Sequence, residues 1–106
     1  MQKNRENIIE LEAEYRNNLD ILDRLHLLAD SAALTTAEAA IFLRSSVSKL
    51  ERLRAVGSGP AYAQGGAQGA RGTNQPCLYE KSDLLDWLRA QKVTSVKEAA
   101  RRKGQL

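Results

Sequence analysis

Six of the seven glycines and both prolines of this 106-residue chain fall between Gly57 and Pro76, in the run GSGPAYAQGGAQGARGTNQP. Glycine costs backbone entropy in any regular element and proline removes an amide donor, so this stretch is loop. Regular structure must therefore lie on either side of it. An aromatic or apolar residue stands at each end, Tyr62 before and Leu78-Tyr79 after. That arrangement fits a hairpin with a long tip from Gln64 to Pro76, the alternative being a plain linker. A phosphate-binding glycine loop needs G-x-x-x-x-G-K-[ST] opening into a helix, and no such run occurs.

Upstream, Leu34 to Arg54 reads LTTAEAAIFLRSSVSKLERLR. Thr35 and Glu38 have capping-box spacing, so a helix begins near Thr36 with Ala39, Ala40, Phe42 and Leu43 on its apolar side. The pattern resets at Arg44-Ser45. Ser45 and Ser46 are N-cap residues, and beyond them Val47, Leu50 and Leu53 share one face while Ser48, Lys49, Glu51, Arg52 and Arg54 fill the rest. Two helices joined by so short a turn describe a helix-turn-helix, or else an ordinary helical hairpin.

Downstream of the loop, SDLLDWL from Ser82 to Leu88 puts Leu84, Trp87 and Leu88 on one face, with Ser82 and Asp83 expected to cap it. Trp87 is expected in the core under the first two helices. Residues 91–106 form a basic tail in which Ser95 and Glu98 repeat the capping-box spacing ahead of AARRK. Helix, turn, helix, hairpin, helix is the order of a winged helix-turn-helix. The expected fold is mainly α with a small β-hairpin wing, preceded by a long N-terminal helix.

In this order of elements the chain resembles the small excisionase-like and AlpA-like regulators, relatives of the MerR DNA-binding domain. The resemblance rests on Leu34-Thr35-Thr36, Glu38-Ala39-Ala40, Leu43, Ser46, Leu50, Arg52, Arg54, Gly59-Pro60, Tyr62, Tyr79, Asp83-Leu84 and Trp87-Leu88. Arg44 departs from the Gly often found at that turn, and the wing is longer than usual. The resemblance implies either a transcriptional regulator or an excisionase-type factor that bends DNA for a recombinase. A recombinase or the transcription machinery is then an implied protein partner.

Residues 1–30 are net acidic and rich in Leu, Glu and Arg. From Arg5 to about Ala29 there is no Gly or Pro, which predicts one helix of about six or seven turns. A heptad seam places Ile8, Tyr15, Leu22 and Ala29 at one position and Leu11, Asn18 and Leu25 at the other, with Asn18 as a polar, register-setting break. Leu19, Ile21, Leu27 and Leu28 widen the apolar face. It can pair two copies into a homodimer or dock on its own domain, and these are not exclusive.

Lys and Arg outnumber Asp and Glu by 16 to 13, a formal charge of +3 that favours a polyanionic partner only mildly. One cysteine, Cys77, excludes an internal disulfide and points to a reducing compartment. No apolar run approaches the ~20 residues needed to span a bilayer and MQKNREN is unlike a secretory signal, so the cytoplasm is expected, with no membrane partner. His26 stands without companions at ligand spacing. No nucleophile or acid-base set is recognisable, so neither an enzyme nor a bound cofactor or metal is expected.

Sequence-specific binding to double-stranded DNA is the expected function. The helix from Ser46 to Arg54 would enter the major groove with Ser46, Ser48, Lys49 and Arg52 as base or phosphate contacts, joined by Thr36 and Arg54. Arg71, followed by Asn74 in the loop, is the type of residue that enters a minor groove. From a different class comes a protein-interaction adaptor, in which the N-terminal helix binds a partner and the helix pair is only structural.

Overall fold

A computed structural model of the chain describes residues 2–65 and 76–103. It is mainly helical with a small antiparallel sheet, in the order α1 (Gln2–His26), β1 (Ala33–Thr35), α2 (Thr36–Phe42), α3 (Val47–Val56), β2 (Ala63–Gln64), β3 (Cys77–Glu80), α4 (Lys81–Ala90) and α5 (Val96–Lys103). Arg71 and Asn74 lie outside the described residues.

Local chemistry starts α2 and α3 where the sequence predicts. The Thr35 hydroxyl accepts from the Glu38 amide at 3.1 Å while the Glu38 carboxylate accepts from the Thr35 amide at 2.9 Å, completing the capping box. Ser46 caps α3 by accepting from the Lys49 amide. Between the helices, the Ser45 amide donates to Ala40 O and the Arg44 amide to Ile41 O. This is a Schellman closure, which needs a left-handed residue, and Arg44 takes that place at φ 58°. Its guanidinium carbon lies 5.9 Å from the Tyr15 ring centroid, a contact that offsets part of the left-handed cost. At the end of α3 the same closure uses Gly57 at φ 74°.

The sheet has one strand more than the expected hairpin. β3 lies in the middle, pairing with β1 through Ala33↔Glu80, Leu34↔Tyr79 and Thr35↔Leu78, and with β2 through Ala63↔Leu78 and Gln64↔Cys77. Gly65 N donates to Pro76 O and closes the hairpin where the glycine-rich tip begins. Three residues of β1 are too few for an alternation signal, so the strand is not visible in the sequence. Leu34 and Tyr79, paired on adjacent strands, are both fully buried.

The core joins Leu25 of α1, Leu34 of β1, Ala39, Ala40 and Phe42 of α2, Leu50 of α3, Tyr79 of β3 and Leu84 of α4, with Ile21, Leu22, Ile41, Leu43, Leu53 and Leu85 packed around it. So the C-terminal part of α1 docks on its own domain. It stops at His26, short of the expected Ala29, and the Lys81 ammonium donates to the His26 and Leu28 carbonyls there at 2.9 and 2.8 Å. That cation is only 4% exposed and also faces the Phe42 ring. It neutralises the negative end of the helix dipole.

Two expectations for α4 need correction. The helix begins at Lys81, before Ser82 and Asp83, with Glu80 at the N-cap and no side-chain cap bond. Its first two amides are satisfied from the α1–β1 connection, Lys81 N by Ala32 O and Ser82 N by Asp30 O. Trp87 is half-buried and outside the central core, its indole N–H donating to Ser58 O at 3.1 Å. Before α5, Ser95 accepts from the Glu98 amide as expected, but the Glu98 carboxylate reaches the Thr94 amide and hydroxyl instead.

Candidate nucleic-acid interface

Leu50 is the fully buried residue of α3, at 1% exposure, and everything the helix offers outward follows from it. Leu53, one turn on, is half-buried, while Ser48, Lys49, Glu51, Arg52 and Ala55 are exposed. Val47, expected on the inner face, is 39% exposed. Ser46 is exposed too, its hydroxyl already committed to the cap. The outward face of α3 thus carries two cations, one carboxylate and a hydroxyl, groups suited to phosphate oxygens and base edges.

Lys49 has a second setting. With Leu43, Leu53, Ser58, Trp87, Leu88 and Gln91 it lines a groove of about 400 Å³ between α3 and α4. A lysine stem on an apolar wall with a solvated ammonium is the usual disposition of that side chain.

Thr36 and Arg54, the other described residues of the expected contact set, turn towards the fold. Arg54 Nη1 donates to Tyr79 Oη at 2.6 Å and to Thr36 Oγ1 at 3.2 Å. The guanidinium carbon lies 5.7 Å from the Tyr62 ring centroid and 5.9 Å from that of Tyr79. Burial disfavours the Arg54 charge, but the hydrogen bond to Tyr79 and the fields of Tyr79, Cys77 and Glu51 outweigh it. The pKa is raised above the ordinary arginine value. In sequence Arg54 looks like Arg52, and only the aromatic pair Tyr62 and Tyr79 hints at a different use.

The six seam residues of α1 divide. Leu25 is core and Leu22 is packed against it, whereas Ile8, Leu11 and Tyr15 are all more than half exposed. Asn18 sits at the division, half-buried, in a cleft of about 210 Å³ with Tyr15, Ala40, Ile41, Arg44 and Ser45. The face is therefore docked over its last third and open before that.

Among the described residues no group of His, Cys, Asp and Glu side chains could hold a metal ion, and no helix is long and apolar enough to cross a membrane. His26 is exposed with its ring 4.9 Å from Phe42, and Cys77 is a half-buried free thiol in β3. No protein-family model matches the chain, and no curated protein or solved structure matches it either.

Proposed function

We propose that this chain is a winged helix-turn-helix protein that binds double-stranded DNA, with α3 in the major groove and the β2–β3 hairpin as its wing. The observation that carries the reading is α3 itself. It is fixed by Leu50 on one side, presents Ser48, Lys49 and Arg52 on the other, and is tied through Arg54 to the base of the hairpin. A helix in that setting can reach base edges while the flanking loop follows the backbone. Arg71 and Asn74 belong to the loop and are proposed to act at the minor groove.

Binding as a dimer is part of the proposal. The open stretch of α1 carrying Ile8, Leu11 and Tyr15 continues the stripe that Leu22 and Leu25 bury, and a second copy can cover it. Two half-sites then add affinity that one small domain lacks. The role is a small transcriptional regulator in the cytoplasm, with an excisionase-type architectural factor as the neighbouring possibility. The same open stripe also favours the adaptor reading, in which a different protein lies on α1.

A gel shift with DNA fragments from around the protein's own gene separates these readings. A discrete complex that weakens steeply with salt supports DNA binding, and no complex at low salt supports the adaptor. Bending of the bound fragment marks the architectural role.

A further inference from the structure

Arg52 and Arg54 stand two residues apart on α3 and do different things. Arg52 is exposed, whereas Arg54 is half-buried among Thr36 at the start of α2, Tyr62 just before β2, and Tyr79 in β3. Tyr62 and Tyr79 also meet each other, with ring centroids 6.0 Å apart. One guanidinium thus touches both strand-side segments of the hairpin and the first turn of α2.

The hairpin needs such an anchor. β2 is two residues long, and a two-stranded hairpin of that length is at best marginal by itself. β3 is secured on its other edge by β1, but β2 and Tyr62 are not, so ladder bonds alone leave the angle between hairpin and α3 loosely determined. Arg54 supplies a charge-assisted bond to Tyr79 and a planar cation beside Tyr62, and both contacts are directional. A residue that only filled space here would be apolar. One that only sought a phosphate would lie in solvent, as Arg52 does.

We infer that Arg54 is a positioning residue that fixes the base of the hairpin against the last turn of α3, and not a DNA contact. The inference rests on the proposed DNA binding for one of its two readouts. Thr36 acts with it, as an acceptor for the guanidinium. The expected specificity follows: α3 and the hairpin read DNA as a rigid pair, so loss of the anchor harms binding at sites that engage both.

Hydrogen exchange on the full chain, free of DNA, tests the anchor directly with Arg54→Ala, Tyr79→Phe and Thr36→Val. Charge-assisted hydrogen bonds imply losses of about tenfold or more, so Arg54→Ala should lower protection in residues 63–65 and 77–80 by that factor while residues 50–53 keep theirs. Tyr79→Phe, which removes one hydroxyl, should act in the same direction less strongly. Where Arg54→Ala does not fold, the hydroxyl variants decide. In DNA titrations Arg54→Ala should weaken specific binding by about tenfold with an unchanged salt slope, whereas a lost phosphate contact flattens the slope by about 0.9. Wild-type exchange at the hairpin base in every folded variant overturns the inference, as does a flattened slope without any change in exchange. If the wild-type chain binds no DNA, the DNA reading fails, and the exchange result still decides the anchor.

Discussion

Lys81 shows how far a single buried cation can organise a small fold. Its ammonium satisfies two carbonyls, His26 at the end of α1 and Leu28 just beyond it, from a position in the first turn of α4, and so ties the two helices together. Lys81→Met keeps an unbranched side chain only one atom shorter and removes the donors. Leaving those carbonyls unpaired should cost about 1–3 kcal/mol, measured by chemical or thermal denaturation. A melting curve that coincides with wild type would mean that water replaces the ammonium without loss. Gly59 is a second sensitive position, since an added Cβ would meet Leu53 Cβ at 2.9 Å. Neither atom can rotate away, so Gly59→Ala should displace the loop after α3 and cost about 1–3 kcal/mol in the same assay. A loss within a few tenths would show that this loop yields easily.

At the scale of elements, α1 does two jobs along its 25 residues. Leu25 and Leu22 belong to the domain, while Ile8, Leu11 and Tyr15 face outward. Removing residues 1–14 should therefore leave the melting temperature close to wild type and shift sedimentation towards monomer. Removing residues 1–30 should destabilise strongly, because burying a leucine such as Leu25 is worth about 2–5 kcal/mol on its own. The same particle mass before and after the shorter cut would contradict self-association through α1. What was legible in the sequence follows the reach of each interaction. Caps are local, so the Thr35–Glu38 box and Ser46 mark α2 and α3 within four residues. β1 was not legible, being three residues long and defined as a strand by its pairing with the distant β3. Arg54 and Lys81 were equally hidden. Their partners lie 25 residues away for Tyr79 and 55 and 53 away for His26 and Leu28, beyond any periodicity.

For the whole molecule, the basic excess is modest and charge alone does not define a DNA-binding face. The case rests on the assembly: α3 held by Leu50, the hairpin joined to it by Arg54, and a stripe on α1 open to a second copy. Phosphate contacts release counterions, so each one lost should flatten the log-log salt dependence by about 0.9. The most direct test is titration of the wild-type chain, Arg52→Ala and Lys49→Ala against fragments from around its gene over a range of salt. The account predicts a discrete wild-type complex, weaker binding by both folded variants, and a flatter slope wherever the lost side chain met a phosphate. No complex at low salt, or unchanged affinity and slope in both variants, would contradict the placement of α3 on DNA.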